Sequence, residues 1–211
     1  MIQRVLRFVY KLFFGPRFER SLAWHNLGLM LIGMDVHPRS MEELGLDEAR
    51  SYWYANSGGP WLRRFLRTLP VTPADSAIDL GCGKGGAILT MSRFPFRRVD
   101  GVDISPSIVD AARRNLARMR ILKSTIFLGD AADFRNLDPY TYVYLYNPFP
   151  APVVECVMRN LRDSLAAHPR PLTLIYCNPK HEECIVRNGF QAVQEFNEAM
   201  FPIRVYQPVQ N

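Results

Sequence analysis

The sequence predicts a doubly wound α/β domain: a seven-stranded sheet covered by helices on both faces, with a helical segment in front of it. Three observations carry that prediction. From Asp75 onward, short apolar runs alternate with helically spaced ones, the signature of repeated βαβ units. One run, Ile78-Asp79-Leu80, passes directly into Gly81-Cys82-Gly83-Lys84-Gly85-Gly86 and then into the helical pattern Ala87–Met91. Successive strands also end on polar or glycine-rich elements, Gly129-Asp130 after the third and Asn147-Pro148-Phe149-Pro150 after the fourth. In open α/β sheets that edge is where ligands bind.

Taken in order, residues 1–50 do not follow this rhythm and form a helical N-terminal cap, leaving residues 51–211 as the ligand-binding domain. At 100° per residue, Val5, Leu6, Val9, Leu12 and Phe13 fall opposite Arg4, Arg7 and Lys11, so a basic amphipathic helix is expected. Packing on the main domain is its first expected role; peripheral contact with a membrane surface through residues 1–20, or with a partner protein, is the alternative. Tyr52, Trp53, Tyr54, Asn56 and the turn Ser57-Gly58-Gly59-Pro60 precede a helix at Trp61–Leu69, as a lid over a cleft or as a hydrophobic anchor.

Strands are expected at Ser76–Leu80, Arg98–Ile104, Thr125–Leu128, Tyr142–Tyr146, Leu172–Cys177, Gln191–Phe196 and Arg204–Gln207. Between them, Ser105 is expected to cap a helix with Pro106 in its first turn and Ile108, Ala111, Ala112, Leu116 and Met119 on one face. Further helices are expected at about Pro152–Ala166 and at Lys180–Arg187, the latter closed by Gly189 in the left-handed conformation.

Composition narrows the class. The 211 residues are 48% hydrophobic and 22% charged, which excludes a collagenous repeat and a wholly disordered chain. The longest apolar run near the start, Leu27–Met34, is too short to cross a bilayer. The excess of 26 Lys+Arg over 20 Asp+Glu gives +6, concentrated in residues 1–20 and in Arg63, Arg64 and Arg67. That favours anionic partners without demanding nucleic acid. Cys82, Cys156, Cys177 and Cys184 form no C-x-x-C pair, so a reducing cytoplasm is expected. His25, His37, His168 and His181 lack ligand spacing with nearby acids, so no metal is expected.

Clustered glycines let backbone approach a ligand closely, but their spacing also fits Gly81-x-Gly83-x-x-Gly86, a dinucleotide fingerprint with Asp103 placed to hold a ribose. Asp79 weighs against that reading, because it stands where a nicotinamide-binding strand stays apolar. A triphosphate loop is excluded, since no Gly-Lys-Ser/Thr closes the turn.

Over about residues 60–211 the sequence resembles the class I S-adenosylmethionine-dependent methyltransferases. Asp79-x-Gly81-x-Gly83-x-Gly85 is similar to their first motif, Val102-Asp103-Ile104-Ser105 to the acidic end of their second strand, and Gly129-Asp130-Ala131 to the element that meets adenine. The resemblance implies a Rossmann-like, mostly parallel sheet whose last strand is antiparallel, S-adenosylmethionine as cofactor and S-adenosylhomocysteine as product. It implies that Asp103 accepts the ribose hydroxyls, with Ile104 beside it. Gly81, Cys82, Gly83 and Gly85 would line the methionine moiety, Asp79 would sit by its amino group or fix the loop, and Asp130 and Ala131 would meet adenine. Asn147-Pro148-Phe149 resembles the Asn-Pro-Pro-Tyr/Phe motif of amino-methyltransferases, with one proline fewer. It implies that Asn147 and the following carbonyl receive an amine, and methylation of a protein side chain or small amine is the expected activity. A nucleic-acid base methyltransferase and a non-catalytic cofactor-binding scaffold are the alternatives. Tyr144, Tyr146 and Phe149 are expected to wall the acceptor pocket, and His181 is the best-placed base for a hydroxyl acceptor.

Overall fold

The computed structural model describes residues 10–11, 16–37, 57–197 and 201–209. Most of the predicted N-terminal amphipathic helix, and Tyr52, Trp53, Tyr54 and Asn56, lie outside the described residues. The elements are α1 (Arg17–Leu31), α2 (Pro60–Leu66), β1 (Ser76–Leu80), α3 (Gly86–Met91), β2 (Arg98–Asp103), α4 (Pro106–Arg118), β3 (Ile126–Leu128), β4 (Tyr142–Tyr146), α5 (Ala151–Ala167), β5 (Thr173–Cys177), α6 (Glu182–Arg187), β6 (Phe190–Phe196) and β7 (Ile203–Pro208).

The sheet order is β3-β2-β1-β4-β5-β7-β6. β1 to β5 pair in parallel, whereas β7 is antiparallel to both β5 and β6. The order reverses between β1 and β4, which opens a crevice at their C-terminal ends. Strand alternation sorts the core into two layers. Ala77, Val99, Tyr142, Tyr144 and Ile175 face the buried sides of α2, α3 and α4, including Leu62, Phe65, Ile88 and Leu116. Ile78, Val102, Val143, Leu145 and Leu174 face α5 and α6 through Val154, Val157, Leu161 and Ile185. Each such side chain contributes roughly 1.5–3 kcal/mol when fully buried, so strand ends on this frame are held firmly.

Local chemistry explains where elements stop. Ser105 occupies the N-cap of α4 and Pro106 its first turn, but no side-chain capping bond forms. The Ser105 hydroxyl instead pairs with that of Ser107 at 3.2 Å, and the Ser105 amide donates to Asp103 Oδ1 at 3.0 Å. α6 starts at Glu182, two residues later than expected, with His181 outside the helix at φ −130. Gly189 follows at φ 81, the left-handed stop the sequence implied.

Candidate active site

The glycine turn is built for close approach. Gly81 sits at φ 78, and a Cβ there would lie 2.5 Å from Pro148 Cβ and 3.3 Å from Phe149 Cζ. The turn after β1 therefore touches the Asn147-Pro148-Phe149 element after β4. Gly101 on β2 likewise leaves room for Cys82, whose Sγ would be 2.7 Å from an added Cβ. The Cys82 thiol thus turns into the core, and burial pushes its pKa well up.

The first three amides of the turn are already used. Gly81 and Cys82 donate to Val102 O at 2.9 and 3.0 Å, and Gly83 donates to Asp103 Oδ2 at 2.9 Å. A pyrophosphate needs free amides and no nearby anions. Here two carboxylates border the turn. Asp79 is buried, its Oδ2 has no hydrogen-bond partner, and burial with repulsion from Asp103 raises its pKa well above the carboxylate range. Burial also raises Asp103, while amides of Ser105, Gly83 and Ile104 hold it down. An orphaned buried carboxylate oxygen beside a second acid calls for a cation with N–H donors. The amino group and sulfonium of S-adenosylmethionine fit that demand, and a dinucleotide does not.

The remaining predicted residues converge on the same edge. Gly129 N–H donates to Asp103 O at 3.0 Å, joining the ends of β2 and β3, and Ala131 is buried next to it. Asp130 Oδ1 accepts from the Ala132 amide at 2.9 Å, so one oxygen shapes the turn. Asn147 adopts φ 38, left-handed backbone that Asn tolerates better than other side chains. Its Oδ1 is buried without a partner. Left-handed backbone and an unmet buried acceptor thus coincide at one residue.

The aromatics divide differently from the expectation. Tyr144 is fully buried, its hydroxyl shut in near Ser57 and Cys177 without a well-formed hydrogen bond. Phe149 is buried behind Gly81, in the layer that faces α5. Tyr146 is half-exposed, its ring 6.0 Å from both Trp61 and Phe201. Trp61 and Phe201 thus join Tyr146 in an aromatic wall that spacing within β4 did not reveal. His181 faces Glu183 Oε1 at 3.7 Å at the start of α6.

Sequence reasoning also missed the anchor beneath the turn. Lys84 is buried, with Nζ 2.5 Å from Asp35 Oδ1 and 2.8 Å from His37 O. Asn115 on α4 accepts from the Asp35 amide at 2.9 Å and donates to Asp35 O and Lys84 O at 2.9 and 3.1 Å. A polar residue in the apolar stripe of α4 was the available signal; its partner 80 residues upstream was not.

The family model described as a methyltransferase domain matches residues 77–168, from β1 into the residue after α5. Residues 77–168 thus resemble a methyltransferase domain, on a sheet with the Rossmann-like class I strand order. The chain is 35% identical over 65 residues to a trans-aconitate 2-methyltransferase of Sinorhizobium fredii, a stretch covering 30% of this chain and 25% of that protein. A ribosomal protein L11 methyltransferase of Dechloromonas aromatica is 31% identical over 111 residues, covering 53% of this chain and 32% of the relative. The chain thus spans about a quarter of the length of the first of these curated relatives and about a third of the second. A solved RNA methyltransferase from Salinibacter ruber, in complex with S-adenosyl-L-homocysteine, shares the fold at a TM-score of 0.58 and 18% identity, covering 71% of this chain and 91% of that one. A crystal structure of a ribosomal protein L11 methylase from Lactobacillus delbrueckii subsp. bulgaricus does so at 0.57 and 19%, covering 71% and 78%. Among the described residues no group of three or more His, Cys, Asp and Glu side chains is placed to hold a metal ion. Nor, among the described residues, is any helix long and apolar enough to cross a membrane.

Proposed function

We propose that the protein transfers a methyl group from S-adenosylmethionine to a nitrogen of a protein side chain or small amine. The observation that carries this reading is Asn147 Oδ1, a buried acceptor with no partner on strained backbone at the end of β4. An amine offers the N–H groups that this oxygen lacks. In our reading Asp79 and Asp103 hold the cationic and ribose ends of the cofactor, Gly81, Cys82, Gly83 and Gly85 let it lie close, and Asp130, Ala131 and Ile104 border the nucleoside. When bound, S-adenosylmethionine supplies an electrophilic methyl on sulfur and departs as S-adenosylhomocysteine.

Asn147 then orients the acceptor, and the carbonyl of Pro148 supplies a second acceptor for its N–H. Desolvation favours the neutral amine, whose lone pair is the nucleophile. Methyl transfer to that lone pair would leave the nitrogen cationic, and its surplus proton would pass to solvent. Alignment and exclusion of water supply most of the rate, roughly 7–11 kcal/mol in well-oriented systems. Tyr146, with Trp61 and Phe201, offers ring faces to the developing ammonium.

The test supplies enzyme and methyl-labelled cofactor to pools of amines, peptides, carboxylates such as the aconitate named for the relatives, and RNA. Labelling of the amine or peptide pool is expected, with release of S-adenosylhomocysteine falling by about 10²-fold in Asn147→Ala at unchanged cofactor affinity. Parental turnover by that variant, or label only in the carboxylate or RNA pool, refutes the nitrogen assignment.

A further inference from the structure

The molecule has a second pocket, about 370 Å³ in volume, whose lining includes neither Asp79 nor Asp103. Its lining draws His25 from α1, Arg63 and Arg64 from α2, Arg67 at the end of that helix, and Thr90 and Arg93 from α3 and the turn after it. No carboxylate is among the residues that line it. Arg63 and Arg67 stand one helical turn apart, a like-charge spacing that disfavours the helix unless something offsets it. The helix dipole accounts for basic residues at the end of α2. It does not account for Arg93 and His25 converging from two other elements. Among the described residues neither Arg63, Arg67 nor Arg93 forms an ion pair. All four arginines are exposed, so an anion can reach them.

The pocket floor is joined to the glycine turn. Gly59 N–H donates to Thr90 Oγ1 at 2.9 Å, and Thr90 Oγ1 donates to Gly86 O at 3.1 Å. The fit is close, since a Cβ on Gly58 would lie 2.0 Å from Gly86 O. A rigid floor fixes the positions from which the arginines reach inward. Burial and, after it, Arg93 lower the pKa of His25, and a bound dianion would oppose the second of these influences.

We propose that this pocket binds a phosphate-bearing anion, presented either by a soluble phosphomonoester or by a phospholipid headgroup. Guanidinium groups in a fixed fork match phosphate oxygens two at a time. The site is independent of the methyl-transfer reading, and its occupancy bears on the turn only through Thr90 and Gly86.

The full chain is titrated calorimetrically with inorganic phosphate and with pyrophosphate, and sedimented with phosphatidylcholine vesicles with and without phosphatidic acid. The probes are R63Q/R67Q and, as a control that removes one positive charge away from the pocket, R114Q. Binding that weakens at least tenfold in R63Q/R67Q and is unchanged in R114Q is expected. The His25 ring should titrate at higher pH when the anion is present. Dependence on Arg63 and Arg67 confined to dissolved phosphate assigns a soluble ligand, and the same dependence on phosphatidic acid vesicles assigns a headgroup. Equal affinities for parent, R63Q/R67Q and R114Q, or no binding above a chloride control, overturn the proposal. Unchanged S-adenosylmethionine affinity in R63Q/R67Q shows that the variant is folded.

Discussion

Asp79 holds a carboxylate that the fold leaves unsatisfied, with one oxygen buried and unpartnered and Asp103 repelling its charge. Its pKa in the folded chain lies above that of the unfolded chain, so the folded state retains a proton that the unfolded state has lost. Stability from that proton is present below the ordinary carboxylate range and is lost as pH rises through the raised value. Asp79→Asn removes the penalty. Without cofactor, the variant should unfold at a higher temperature than the parent at neutral pH, by about 1–3 kcal/mol, with the difference shrinking toward about pH 4. Cofactor affinity should fall at least tenfold in the same variant, by calorimetry. A variant no more stable than the parent at neutral pH would show that another group satisfies Asp79. Gly81 makes the opposite case: left-handed backbone costs an alanine about 1–2 kcal/mol, and its Cβ would collide with Pro148. Gly81→Ala should therefore lower both melting temperature and cofactor affinity, while Gly189→Ala, with open space around it, should lower the melting temperature alone.

The loop after α1, the glycine turn and α4 meet at Asp35, Lys84 and Asn115. A buried ammonium left without its carboxylate costs about 3–5 kcal/mol, whereas replacing the lysine by an apolar side chain of similar length costs less. Asp35→Ala should thus destabilise more than Lys84→Met, and the double variant should be more stable than Asp35→Ala alone. Urea denaturation of the four proteins measures the cycle; additive losses would show that the pair is not coupled. The same elements show how far the sequence could be read. β1 and β4 were legible to the residue, because apolar runs bounded by turns leave little choice of boundary. α4 was legible from Ser105-Pro106, yet the hydroxyl chose Ser107 and the backbone carboxylate bond came from Asp103, a competition between neighbours that spacing does not resolve. Asn115 was visible as a polar break in an apolar stripe, but a contact with Asp35 depends on how a separate segment docks.

Across the whole molecule the polar strand ends on one sheet edge were legible and the aromatic wall beside them was not. Strand-end residues such as Asp79, Asp103 and Asn147 are positioned by the sheet, whose register follows from local pattern. The wall of Trp61, Tyr146 and Phe201 comes from three distant parts of the chain. A similar argument bears on the division between residues 1–50 and 51–211. Leu29, Met34 and Val36 on the N-terminal side pack with Leu89 of α3 in one buried cluster. Cutting the chain at residue 51 uncovers Leu89 and strips Lys84 of Asp35 together. The apolar loss is roughly 1.5–3 kcal/mol per buried side chain, and taking the Asp35 carboxylate from the buried ammonium adds about 3–5 kcal/mol. Their sum approaches the stability of an ordinary domain, about 5–15 kcal/mol. The fragment 51–211 should therefore melt far below the full chain or fail to remain folded, and Lys84→Met within the fragment should recover part of the loss. Scanning calorimetry of the full chain, the fragment and the fragment carrying Lys84→Met decides it. A fragment that melts with the full chain would make residues 1–50 a separable cap rather than a part of the core.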